Sequence, residues 1–206
     1  MMMRNIFIVD DDDSVRTSLI YLLSLLPKTV IHCFTSGDSF LAAAERLEPG
    51  CLLLDLNMPG TSGIGVLEAV RAFTPRFSTV VLTGEGDVNT AVQAFKLSAL
   101  DFLQKPCSHA QLFNTIEQAF YRQAASFQSM ARREDAMTKI HSLSPREHDV
   151  LMGLLAGLAN KAIAHALDIS PRTVEIYRAK LMEKLNARSL PEALGIAFTA
   201  GLFPES

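Results

Sequence analysis

"NIFIVDDDDSVRTSLIYLLSLL", residues 5–26, passes from an apolar run through four consecutive aspartates, Asp10 to Asp13, into a segment whose apolar residues recur every three or four positions. An unbroken apolar run fits a strand covered on both faces, and the recurrence that follows fits an amphipathic helix. The stretch therefore reads as one strand–turn–helix unit with its carboxylates at the end of the strand. Two neighbouring carboxylates about 4 Å apart repel by roughly 4 kcal/mol at an effective dielectric of about 20, so a cationic partner is expected there.

The same texture recurs along the first 122 residues. "TVIHCF" (29–34), "CLLLDL" (51–56), "STVVLTG" (78–84) and "DFLQKP" (101–106) are β-type runs, and helical segments such as "SFLAAAERL" (39–47) lie between them. Five such units predict an α/β fold, a doubly wound five-stranded parallel sheet that binds ligands at the carboxyl ends of its strands. Leu112, Ile116, Ala119 and Phe120 predict a fifth helix packed on that sheet. Beyond Tyr121 the chain turns polar but stays rich in helix formers. The expected organisation is a sheet domain over 1–122, a helical linker over 123–141 and a small all-α domain over 142–206. Ser144-Pro145-Arg146-Glu147 reads as a capped helix start, Ser170-Pro171 as another, and Gly157-Leu158 and the surroundings of Asp168 as loops.

The 206 residues are 49% hydrophobic, enough for two cores. No apolar run nears the roughly 18 residues that span a bilayer, and the expectation is a soluble, cytoplasmic protein with no membrane contact. Cys33, Cys51 and Cys107 are widely spaced, and the histidines are scattered, so neither a disulfide framework nor a zinc site is expected. The net charge of −3 is unevenly divided. Residues 1–122 hold 9 basic and 13 acidic side chains, whereas 142–206 hold 7 of each. Within the latter, Arg172, Arg178, Lys180, Lys184 and Arg188 outnumber Glu175 and Glu183, leaving a weak basic stripe.

On the parallel-sheet reading Asp10 and Asp11 follow the first strand and Asp55 ends its neighbour, so three carboxylates are expected to converge. Hard oxygen donors with this charge suit Mg²⁺. Asp12 and Asp13 precede a helix and are expected to cap it. Thr83 and Lys105 end the last two strands and reach the same rim, and together these groups make a phosphoryl-transfer site. Taken singly, each would be an ordinary cap, strand residue or solvated lysine.

"VDDD", "LLLDLNMPGTSG", "VVLTGEGDV" and "DFLQKP", in this order and spacing, resemble the receiver domain of bacterial two-component response regulators, a flavodoxin-like fold, over residues 4–122. The resemblance implies Asp55 as phosphoacceptor, Mg²⁺ held by Asp10, Asp11, Asp55 and the Asn57 carbonyl, Lys105 paired with the acyl phosphate, and Thr83 with Phe102 as the switch. Two positions depart from the pattern: Ser98 stands where glycine is frequent, and Cys107 where a bulky apolar residue is common. A phosphatase resembling the haloacid dehalogenase group would also use Asp55 as nucleophile. Such enzymes carry a general acid two residues later, where this chain has Asn57. The protein is expected not to be an enzyme, beyond loss of its own phosphoryl group. A constitutive regulator, its receiver serving only to dimerise, is the other rival, and the intact acidic set argues against it.

"LSPREHDVLMGLLAGLANKAIAHALDISPRTVEIYRAKLMEKLNARSL", residues 143–190, has the spacing of a helix-turn-helix. In its longest helix Val174, Tyr177, Leu181 and Leu185 should face the core, leaving Arg172, Thr173, Ile176, Arg178, Lys180 and Lys184 outward, able to meet the groove and phosphates of DNA. "LSPRE", "GLANKAIAHALDISPRTVEIYRAKLMEKL" and "ARSL" are similar to the LuxR type of DNA-binding domain, and the pairing with a receiver resembles FixJ-like transcription regulators. By that resemblance Asn160 and Lys161 approach phosphates, and Thr173, Glu175, Ile176 and Arg178 are candidates for the groove. The implied partners are a sensor histidine kinase, a second copy on phosphorylation, and double-stranded DNA with an imperfect palindrome whose half-sites lie about 10 base pairs apart.

Overall fold

The computed structural model describes residues 3–73, 75–84 and 88–204, in two compact units divided after Phe127. In the first unit, strands and helices alternate: β1 (Arg4–Val9), α1 (Asp13–Leu23), β2 (Thr29–Phe34), α2 (Gly37–Ala44), β3 (Gly50–Asp55), α3 (Gly63–Val70), β4 (Phe77–Thr83), α4 (Val88–Lys96), β5 (Asp101–Gln104) and the start of α5 (His109–His141). The strands form one parallel sheet in the order β2-β1-β3-β4-β5. The order reverses between β1 and β3, so the loops after these two strands part and leave a crevice at their carboxyl ends.

Alternate residues of a strand face opposite sides, which explains the unbroken apolar runs. Phe7, Val9, Leu52, Leu54, Phe77 and Val81 pack on Phe40 of α2, Val66 and Leu67 of α3 and Ala94 of α4. Ile6, Ile8, Cys51, Leu53, Val80 and Leu82 pack on Leu19 and Leu23 of α1 and on Leu112, Ile116 and Ala119 of α5. The edge strand β2 is only half-buried. Close approach matters next to Asp55: a Cβ on Gly63 would lie 2.6 Å from Leu56 Cα and collide with the Asp55 carbonyl. Glycine there lets α3 start directly beneath the loop that follows Asp55.

The second unit holds α6 (Pro145–Leu155), α7 (Asn160–Ala166), α8 (Pro171–Leu185) and α9 (Leu190–Ala200). Its core joins Val150, Leu151 and Leu154 of α6, Ile163 of α7, Val174, Leu181 and Leu185 of α8, and Ala193 and Ala197 of α9. Ser144 and Glu147 form the expected capping box and Ser170 caps α8. Ser189 caps α9 in the same way. Gly157 and Asp168 take left-handed backbone conformations at the two loops.

Residues 123–141 continue α5, which is one helix of 33 residues. At its middle, buried Gln123 donates from Nε2 to the carbonyls of Gly50 (3.1 Å) and Arg76 (2.6 Å), binding α5 to the starts of β3 and β4. Toward its end Ala136 and Ile140 are buried, and Ile140 belongs to the core of the second unit. Among the described residues no helix is long and apolar enough to cross a membrane.

Candidate functional site

Asp10 follows β1, Asp55 ends β3, Thr83 ends β4 and Lys105 follows β5, so four strands deliver them to one rim. Parallel register aligns the ends: Val9 pairs with Leu54, Asp55 with Leu82, and Thr83 with Gln104. Asp10, Asp55 and Thr83 are all buried. Lys105 Nζ lies 2.5 Å from Asp10 Oδ2 and 2.7 Å from Asp55 Oδ1, so one ammonium serves two carboxylates. Their remaining oxygens accept from the backbone, Asp10 Oδ1 from the Asp12 amide at 2.9 Å and Asp55 Oδ2 from the Asn57 amide at 2.7 Å.

The electrostatics follow from burial set against those bonds. Burial pushes the Asp55 carboxyl above its ordinary pKa, and the Lys105 hydrogen bond only partly opposes it. Burial alone would lower Lys105, yet its bonds to Asp10 and Asp55 carry it above the usual lysine value. The site thus holds a permanent cation and a carboxylate whose charge is incompletely compensated.

Asp12 caps α1 as expected, accepting from the amides of Ser14 and Val15. Asp13 opens the helix and pairs with Arg16. Asp11 is exposed, and among the described residues no group of three His, Cys, Asp or Glu side chains is gathered as metal ligands. Asp10 and Asp55 form a buried pair bridged by the Lys105 ammonium, and Asp11 stands exposed on the same turn. The donor set still fits a hard cation: two buried carboxylates share one ammonium, leaving a net negative oxygen-lined site beside the exposed Asp11. Phe102 on β5 is half-buried and packs on the core beneath α2–α4, next to Val81 in register. Of the motif residues, Glu85, Gly86 and Asp87 lie outside the described residues.

Burial raises the pKa of the thiols. Cys51 is fully buried and its pKa is pushed up to about 12, and burial also raises Cys33 and Cys107.

In the second unit α8 presents the expected split. Val174, Leu181 and Leu185 are buried and Tyr177 partly so; Arg172, Glu175, Ile176 and Lys180 are exposed, and Lys161 on α7 is exposed as well. Thr173 and Arg178 are half-buried. Arg178 Nη1 donates to Asn160 Oδ1 at 2.8 Å, so two residues expected to meet DNA also tie α7 to α8. Lys184 Nζ lies 2.7 Å from Oε2 of buried Glu147 and 3.1 Å from the Ser142 carbonyl, which ties the ammonium to the capping box of α6. A helix-face argument could place Lys184 outside the core but could not see which neighbour it would meet.

Two further residues escaped the sequence reading. Arg16 donates from Nη1 to the Asp10 carbonyl at 2.7 Å, and its spacing of three from Asp13 was the available signal. Asp38, at the start of α2, accepts from the Thr61 hydroxyl at 2.5 Å and the Thr61 amide at 3.3 Å, pinning the loop after Asp55; nothing local announces that contact.

Comparison with known proteins agrees with this geometry. Residues 6–117 match the response regulator receiver domain, and residues 141–197 match the luxR family of bacterial regulatory proteins. The chain is 42% identical to the transcriptional regulatory protein FixJ of Bradyrhizobium diazoefficiens, covering 96% of each chain. It is 40% identical to the tetrathionate response regulatory protein TtrR of Salmonella typhimurium, covering 93% of this chain and 91% of TtrR. Among solved structures it resembles the response regulator StyR, with a TM-score of 0.79 at 35% identity over 95% of this chain and 98% of StyR. Full-length FixJ from B. japonicum matches with a TM-score of 0.60 at 41% identity over 98% of both chains. A buried, lysine-bridged aspartate at the rim of a parallel sheet and a helix-turn-helix behind it are thus the two working parts of one kind of molecule: the chain belongs to the two-component response regulators and is a phosphorylation-dependent, DNA-binding transcription regulator.

Proposed function

We propose that Asp55 is the phosphoacceptor and that a sensor histidine kinase is the donor. An Asp55 carboxylate oxygen attacks phosphorus, an O–P bond forms as the N–P bond to the kinase imidazole breaks, and the electron pair leaves with the imidazole nitrogen. The observation that carries this reading is the Lys105 ammonium, 2.7 Å from Asp55 Oδ1 and already fixed by Asp10 at 2.5 Å. A cation so preorganised can stabilise the incoming phosphoryl oxygens without having to be recruited. Asp10, Asp11, Asp55 and the carbonyl of Asn57 would hold Mg²⁺, which when bound supplies further neutralisation of phosphoryl charge. Autodephosphorylation is the only turnover assigned to the chain.

Thr83 and Phe102 make the switch in this reading. Thr83 is fully buried at the end of β4, and Phe102 stands two residues before its register partner on β5. Phosphoryl oxygens at Asp55 draw on the Thr83 hydroxyl, and Phe102 moves into the space released, altering the face of α4, β5 and α5 so that two copies pair. The dimer then places two α8 helices on successive half-sites of an imperfect palindrome, with Arg172, Thr173, Glu175, Ile176, Arg178 and Lys180 at the groove and Asn160 and Lys161 near phosphates. This work belongs in the cytoplasm.

The test is incubation of the full chain with acetyl phosphate and Mg²⁺, followed by intact mass, oligomeric state and binding to palindromic DNA. The expected result is one phosphoryl group per chain, a monomer-to-dimer shift and tighter binding. Modification that persists in Asp55→Asn places the acceptor elsewhere and overturns the reading.

A further inference from the structure

Asp10 to Asp13 carry four charges on one short turn, yet the structure gives each a different destination: Asp10 inward to Lys105, Asp11 to the exposed surface, Asp12 to the helix cap and Asp13 to an ion pair. One side chain touches both ends of this turn. Arg16, one turn into α1, donates from Nη1 to the Asp10 carbonyl at 2.7 Å and from Nη2 to Asp13 Oδ1 at 2.8 Å. Its side chain is only 11% exposed, unusual for an arginine so near the surface. The Asp10 backbone is held from its other side too, since its amide donates to the Phe34 carbonyl at 3.2 Å on the neighbouring strand.

We infer that Arg16 is a positioning residue for the metal site, bracing the acidic turn so that the Asp10 carboxylate stays on the Asp55 side and Asp11 stays at the mouth. The inference rests on the assignment of Asp10, Asp11 and Asp55 to Mg²⁺. A planar guanidinium can reach a carbonyl and a carboxylate at once with parallel donors, which a lysine ammonium cannot do in the same geometry. Arg16 acts on the site through the carbonyl of Asp10.

The two roles open to this charge have opposite signs. If Arg16 were merely a nearby cation, removing it would make the site more negative and strengthen Mg²⁺ binding. If it braces the turn, removing it weakens binding, as loss of a residue orienting metal ligands does, by about 10-fold. Calorimetric titration of the unphosphorylated full-length chain with MgCl₂ reads this without any phosphoryl transfer. Arg16→Ala and Arg16→Lys are expected to weaken Mg²⁺ binding by about 10-fold each, with acetyl phosphate labelling slowed at low Mg²⁺ and restored at saturating Mg²⁺. Asp13→Asn, which keeps the Asp10 contact, is expected to weaken it less. Unchanged or tighter binding in Arg16→Lys overturns the inference, and this conservative variant decides the matter if Arg16→Ala does not fold. Failure of the wild-type chain to bind Mg²⁺, or undiminished binding by Asp10→Asn, defeats the metal assignment itself and is distinguishable from either result.

Discussion

Asp55 and Glu147 are each buried against a lysine, and they behave in opposite ways. Asp55 shares Lys105 with Asp10, and burial drives its carboxyl above the ordinary pKa. Glu147 has Lys184 to itself together with the Ser144 amide, and the lysine hydrogen bond holds it down at about 2. One ammonium divided between two anions leaves a site with unmet negative charge, able to take a cation or a phosphoryl group. One ammonium given to one anion makes a closed staple between α6 and α8. Similar chemistry thus yields the candidate site in the first unit and a structural clasp in the second, and burial together with the sharing of one ammonium separates them.

The sharpest way to break the comparison is Asp55→Asn. Phosphate incorporation should vanish, read by intact mass after acetyl phosphate treatment. The unmodified protein should keep its fold, since an amide retains the shape while relieving the repulsion with Asp10. Loss of folding would show that Asp55 is as structural as Glu147.

Lys184→Met tests the other half. Stranding the buried Glu147 carboxylate should cost about 1–3 kcal/mol, less than a fully buried pair because Lys184 is partly exposed. Thermal unfolding should report it, and the salt dependence of DNA binding by the folded fraction should not change. A salt slope lowered by about one unit with stability intact would restore Lys184 as a phosphate contact and dissolve the clasp.

Acid titration separates the two sites by sign. Glu147 has a lowered folded pKa, so its contribution is complete above about pH 4.5 and is lost as the pH falls toward about 2. Asp55 has a raised one, so ionising it weakens the fold as the pH climbs from 3.8 through the folded value, and acidification restores that stability. Segment-resolved amide exchange followed from about pH 6 down to about pH 2, through the range over which Glu147 takes up its proton, should show α6 and α8 loosening. Glu147→Gln should flatten that trend. Loosening confined to the β-sheet would contradict the assignment of signs.

The smallest effect concerns Ser98, which adopts φ +69, a conformation that costs a residue with a Cβ roughly 1 kcal/mol. Ser98→Gly should therefore raise stability by a few tenths to about 1 kcal/mol, offset by the greater freedom of glycine in the unfolded chain. Denaturant unfolding measures it, and a decrease would mean the serine side chain contributes something the backbone strain conceals.

Most of the fold was legible because its signals are local. Apolar runs at residues 5, 51 and 78 are central strands, "TVIHCF" is the edge strand, and Ser144 and Ser170 start helices where expected. Asp10, Asp55, Thr83 and Lys105 also share a rim, since a parallel sheet aligns the ends of its strands whatever lies between them. The segment after Tyr121 reads as polar because most of its side chains are exposed, and the tertiary roles of Gln123, bonded to the Gly50 and Arg76 carbonyls, and of Ile140, in the core of the second unit, are not local signals.

The sequence by itself thus determined the strand–helix alternation, the caps, the helix-turn-helix and the set of charged residues available for chemistry, all of which depend on spacing within a few residues. Only tertiary structure decided how those charges pair: Lys105 with residues 95 and 50 positions away, Lys184 with one 37 positions away, Asp38 with Thr61 across 23. A long side chain on a helix or strand end can reach any of several partners. Which one it reaches depends on how the elements pack, and packing is fixed by the sum of many apolar contacts rather than by any motif.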